Sequence, residues 1–133
     1  MKLVSQCLVV LVVFFAIDLF WLGVVAKNLY AKYLGYLMAP QVNWIAAFTF
    51  YLIFIVGLMI FVLLPALDKQ SLSYALIYGA LFGFFTYATY DLTNLATIRD
   101  WPITITIIDL IWGTSLSASV SSISYLIITT FLK

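Results

Sequence analysis

Long apolar runs, broken by three polar intervals, make up this chain. Residues 3–26, 44–65, 73–96 and 103–131 are apolar almost without interruption, and the intervals 27–43, 66–72 and 97–102 hold Lys27, Lys32, Lys69 and Arg99. About 20 apolar residues in a helix cross the roughly 30 Å hydrocarbon core of a bilayer, and each run reaches that length. None alternates with the period of two that the short strands of a membrane β-barrel require. The pattern predicts an all-α, polytopic membrane protein, four transmembrane helices in an antiparallel bundle that form a single domain over residues 1–133. The fourth run is the longest, so its helix is expected to tilt, bend or emerge at its C-terminal end. The first run opens like a secretory signal, with Lys2 ahead of apolar residues. Val24-Val25-Ala26 is a poor cleavage site and Asp18 interrupts the run, so it is read as a retained helix.

Composition agrees and removes several functions. Of 133 residues, 66% are hydrophobic and 8% charged, against about a quarter charged in a soluble domain, so lipid has to be the solvent. The formal net charge of +1 offers no basic surplus to neutralise phosphates, which excludes a nucleic-acid partner. Histidine is absent and Cys7 is the single cysteine, which leaves no Cys/His cluster for zinc or haem. No cofactor and no metal are expected.

Lys and Arg in short loops usually set orientation. Here Lys2, Lys69 and Lys133 fall on one side and Lys27, Lys32 and Arg99 on the other, a tie that leaves orientation open. The first interval mixes Lys27 and Lys32 with Tyr30, Tyr33 and Tyr36 at near-helical spacing. It reads as an interfacial anchor, rings in the headgroup zone and ammonium groups toward water. A ligand-gating lid is the alternative.

Candidate chemistry lies in three aspartates within the runs, Asp18, Asp91 and Asp109. A carboxylate at mid-bilayer is expensive and marks function more often than not. Asp18 precedes Lys27 by nine residues, Asp91 precedes Arg99 by eight and Asp109 follows it by ten. At 1.5 Å per residue, all three are expected about 12–15 Å from one membrane face. Tyr51 falls at a similar level. On the third helix Gly79, Gly83, Tyr87 and Asp91 recur every fourth residue and Asn94 follows, all on one stripe. Gly79 and Gly83 there, and Gly113 and Ser117 on the fourth helix, have the small-xxx-small spacing of close helix packing. The serines between Ser115 and Ser124 lack a nearby base and read as packing residues. Asp18-Leu19-Phe20-Trp21 is echoed by Asp109-Leu110-Ile111-Trp112 on the antiparallel fourth helix, the form of an inverted repeat.

Asp18, Asp91, Asn94 and Asp109 are therefore the expected lining of a polar cavity on the Arg99 side. Tyr87 and Tyr51 would orient them, and Trp112 and Trp101 would flank the mouth or anchor helix ends. Such a cavity suits a proton or a small polar, cationic or amphiphilic ligand. Proton-coupled transport would need a homo-oligomer, because four helices are few for a pathway. Two other readings stand beside it: a lipid- or isoprenoid-modifying enzyme using acid–base carboxylates, and a structural module held by a buried polar network. Membrane lipid is a partner in all three.

The stretch from Gly79 to Thr97, with its Tyr90-Asp91-Leu92-Thr93-Asn94 segment, followed by Asp100-Trp101-Pro102, resembles the bacterial membrane family DUF2177. Asp18 with Trp21, Pro65-Ala66-Leu67, and Asp109 with Trp112-Gly113 extend the resemblance over almost the whole chain. It implies a bacterial inner-membrane protein and supports four spans. It supplies no reaction.

Overall fold

The computed structural model describes residues 2–132, and among them there is no strand. Helix α1 (Lys2–Phe20) runs on through a π-helical turn, Trp21–Val25. After a short α2 (Leu29–Leu34), helix α3 (Trp44–Leu58) continues through a second π-helical turn, Met59–Leu63, into α4 (Leu64–Asp68). The long helices α5 (Leu72–Thr97) and α6 (Ile103–Phe131) complete the chain. Four rods result, Lys2–Val25, Trp44–Asp68, Leu72–Thr97 and Ile103–Phe131, each long and apolar enough to cross a membrane.

Local chemistry explains the boundaries. At the start of α3, the Asn43 side chain accepts a hydrogen bond from the Ala46 N–H at 3.2 Å. Ser71 does the same for Tyr74 N–H at 3.0 Å at the start of α5. Each satisfies a donor that the first helical turn leaves unpaired. The second rod passes through Pro65, where the sequence pattern predicts an end, and reaches Asp68. Proline lacks an N–H and its ring crowds the carbonyl four residues back, here Phe61. The wider π turn of Met59–Leu63 lies there and gives the ring room. The link to α5 shrinks to residues 69–71, with Gln70 in the left-handed region at φ 51°.

Side-chain pairing fixes direction. Phe14 meets Phe54 with ring centroids 5.6 Å apart while Asp18, a turn later, has Tyr51 beside it, so α1 and α3 are antiparallel. Phe54 meets Phe82 at 5.2 Å and Tyr87 at 6.5 Å, which sets α3 against α5. Gly79 faces Ser117 and Ser121, while Gly83 faces Gly113 and Ser117. Tyr87 lies over Gly113, so α6 descends antiparallel along α5. Trp21 stacks on Trp112 at one end of the α1–α6 pair, and Lys2 and Gln6 share a cavity with Ile128 and Leu132 at the other. The four rods thus form a closed antiparallel ring.

The tightest wall is between α5 and α6. A Cβ on Gly79 would come 2.8 Å from Ser121 Oγ and 2.9 Å from the Ser117 carbonyl oxygen. On Gly83 it would strike the Gly113 carbonyl, and on Gly113 the Tyr87 ring. The small residues let the two backbones touch, as lipid-embedded helices require when no hydrophobic effect draws them together. Ser117, Ser121 and Ser124 are fully buried along this side. Outward, Ile45 is 83% exposed, Phe61 65% and Ile111 65%. Small and polar groups inside with large apolar groups outside is the order expected of a protein solvated by lipid.

The α1–α6 pairing also locates the excess length of α6. Its 29 residues span about 44 Å, more than the hydrocarbon core. With Trp21 level with Trp112 and Lys2 level with Leu132, Val25 ends close to the level of Ile108. The surplus therefore projects at the Ile103 end rather than at the C-terminal end the sequence suggested. There α1 stops short and α2 takes its place.

Introducing Gly83→Val should push α5 from α6 and cost about 1–3 kcal/mol, the usual penalty of overpacking. The reading is a lower unfolding midpoint in detergent. Gly23→Ala is the matched control, since nothing lies within 4 Å of a Cβ at Gly23, and it should leave the midpoint unchanged or raise it.

Candidate functional site

The shortfall of α1 leaves a well in the bundle, a cavity of ≈ 420 Å³. Asp18, Trp21 and Leu22 of the first rod form one wall, and Ala47, Phe50 and Tyr51 of α3 the next. Thr86, Tyr87 and Tyr90 of α5 face Asp109 and Trp112 of α6. Tyr30 and Leu34 of α2 form the roof. The surround is strongly aromatic, it holds two carboxylates, and no Lys or Arg lines it.

Helix register sorts the carboxylates into two levels. Trp21 and Trp112 stack nearly parallel, 9° between planes and 4.2 Å between centroids. Asp18 precedes Trp21 on an ascending helix and Asp109 precedes Trp112 on a descending one. They consequently flank the indole pair from opposite sides, about 9 Å apart along the axis. The common depth expected for all three aspartates does not hold, because α1 ends deeper than the α5–α6 hairpin. The Asp-x-x-Trp echo is thus a spatial one, with the stacked indoles at its centre.

At the deep level Asp18 is 7% exposed and has the Tyr51 hydroxyl beside it. At the shallow level Asp109, 6% exposed, accepts a hydrogen bond from the Tyr30 hydroxyl at 2.7 Å. The Tyr30 oxygen in turn accepts from Trp21 Nε1 at 3.3 Å. Behind Asp109 and outside the cavity, Asp91 is fully buried. No N–H or O–H donor reaches either of its oxygens among the described residues, and its neighbour is the Asp109 carboxyl. Two carboxyls side by side can hydrogen-bond to each other only when one of them carries a proton. The Tyr87 phenol joins the levels, within electrostatic reach of Asp18, Asp91, Asp109 and Tyr51.

Of the expected residues, the structure brings Asp18, Asp109, Tyr51, Tyr87 and Trp112 around the cavity. Asp91 stands one layer back. Asn94 is half-buried beside Tyr90 and does not line the cavity. Trp101 is buried at the start of α6, donating from Nε1 to Thr106 Oγ1 at 3.1 Å, away from the mouth. Gly79, Gly83, Gly113 and Ser117 form the α5–α6 wall. Among the described residues no group of three or more His, Cys, Asp or Glu is placed to hold a metal ion.

Tyr30, Trp21, Phe50 and Tyr90 are additions that the sequence reading did not select. Tyr30 matters most, because it turns the expected interfacial segment into a roof. A second tie comes from Tyr36, whose hydroxyl donates to the Asp100 carbonyl in the α5–α6 turn. Burial, then the Asp109 carboxylate against it, raises Tyr30 above the ordinary phenol range. The hydroxyl therefore stays a donor at neutral pH. Its stabilising bond persists below the free phenol value of 10.0 and is lost only as pH climbs beyond it.

A family model described as "Predicted membrane protein (DUF2177)" matches residues 3–126. The chain belongs to this family. Every residue lining the cavity beneath α2 of this DUF2177 protein falls within the matched span. No curated protein and no solved structure matches the chain.

Replacing Tyr30 by Phe should remove the Asp109 bond and loosen the DUF2177 roof. A hydrogen bond to a charged acceptor is worth about 1.5–3 kcal/mol, so amides of α2 should exchange with deuterium roughly tenfold faster or more. Unchanged exchange would mean that α2 is held by other contacts.

Proposed function

We propose that this membrane protein binds an amphiphilic organic cation in the cavity beneath α2. The reading is carried by one observation: two buried carboxylates, Asp18 and Asp109, share an aromatic cavity that no Lys or Arg lines. Buried carboxylates without cationic partners favour a ligand that brings positive charge. Indole and phenol faces add cation–π attraction, worth about 2 kcal/mol or more once water is excluded. The remaining lining, Leu22, Leu34, Ala47 and Phe50, suits the apolar body of such a ligand, which would arrive already partitioned into the bilayer.

The Asp91–Asp109 pair gives binding a link to protons. A cation seated against Asp109 takes over the role of the proton held between the two carboxyls, so that proton leaves as the cation arrives. Exchange of this kind is the elementary step of a proton-coupled carrier, and a carrier with this fold would work as an oligomer.

The test uses purified protein in nanodiscs, with decylammonium and decanol as charged and neutral probes, read through the fluorescence of the Trp21–Trp112 pair. Decylammonium should bind at least tenfold tighter than decanol. Asp18→Asn and Asp109→Asn should each erase most of that difference, and calorimetry in buffers of different ionisation enthalpy should record proton release. Equal binding of the two probes would sink the reading.

A further inference from the structure

At the end of the bundle opposite the aspartates, α1, the α4–α5 turn and α6 enclose a second cavity, of ≈ 540 Å³. Its polar lining differs in kind from that of the first. Lys2 supplies an ammonium group, Gln6 and Gln70 supply amides and Tyr125 a phenol, and no acidic residue lines it. Thr129 contributes little as a donor, since its hydroxyl donates to the Tyr125 carbonyl at 2.8 Å. Ile128 and Leu132 give it an apolar side.

Gln6 is the informative residue. It follows Ser5 near the start of α1 and is 6% exposed. No hydrogen bond from another described residue reaches its side-chain amide. The side chain as a whole is buried and its amide borders the cavity, so the space is where its partner belongs. Gln70 is brought to the same rim by the left-handed turn at φ 51°. Lys69 is turned elsewhere, its Nζ 5.8 Å from the centroid of the Tyr74 ring.

We propose that this second cavity binds a phosphate-type anion, held by the Lys2 ammonium and the Gln6 and Gln70 amides. Its place at the ends of α1 and α6 puts it at headgroup depth. The Ile128–Leu132 side suits the first methylenes of an acyl chain. An anionic phospholipid and free phosphate share the recognising chemistry, and the experiment separates them. It does not depend on the cation site.

The full-length protein is purified in mild detergent and incubated with phosphatidic acid, with phosphatidylcholine, or with inorganic phosphate alone. Retained lipid is counted by native mass spectrometry, and thermal stability is followed in parallel. One phosphatidic acid per chain should be retained, at least tenfold more often than phosphatidylcholine. Gln6→Leu, which suits its apolar surroundings, and Lys2→Gln should each reduce that retention at least fivefold, while Asp18→Asn leaves it intact. Stabilisation by millimolar phosphate, lost in the same two variants, would identify free phosphate as the source. The proposal is overturned if phosphatidic acid and phosphatidylcholine are retained alike and phosphate has no effect. Retention unchanged in both variants overturns it equally.

Discussion

Backbone contact between α5 and α6 is the constraint from which the rest of the structure follows. Gly79, Gly83 and Gly113 remove the side chains that would hold these helices apart, and the longest two elements become one rigid hairpin. That closeness brings Asp91 against Asp109 and presses Tyr87 over Gly113. Asp109 is relieved by the Tyr30 hydroxyl, whereas no donor among the described residues reaches the Asp91 oxygens. Packing and the pairing of the two acids are consequently a single feature here: loosening the seam would separate the acids as well as the helices.

The first rod joins this hairpin on different terms. It docks on the hairpin through the stacked Trp21 and Trp112, and on α3 through the edges of Phe14 and Phe15 against Tyr51. Its closing π turn sets Trp21 where its N–H can reach Tyr30. π turns of this kind recur at functional sites because they re-aim a side chain without breaking the rod. The roof then depends on a relay from indole to phenol to carboxylate, with one link from each of three helices.

The number of spans, their approximate limits and the small-residue seam were legible in the chain, because lipid imposes a length rule and close packing a four-residue rule. The membership of the cavity was only partly legible. Asp18, Tyr51, Tyr87, Asp109 and Trp112 announce themselves as polar or amphipathic groups inside apolar runs. Tyr30 does not: among Lys27, Lys32 and two other tyrosines it has the signature of a headgroup anchor. The relative heights of the helices were also hidden, since equal distances from loop charges imply equal depth only when all helices end on one plane. The early stop of α1 breaks that condition, and it misplaces Asp18 by about two turns. Asn94 shares the stripe of Asp91 but lies a turn nearer the helix end, where α5 turns it toward Tyr90 instead.

That early stop has a consequence outside the protein. The apolar belt around the bundle is lower on the α1 side than along the α5–α6 hairpin, so the surrounding bilayer meets a step. Lipids there have to thin or tilt, at a cost of a fraction of a kcal/mol for each ångström of mismatch. The roof helix α2 spans that step, with Lys32 exposed. In a thicker membrane acyl chains would press on α2 from outside, and in a thinner one headgroups would come level with it.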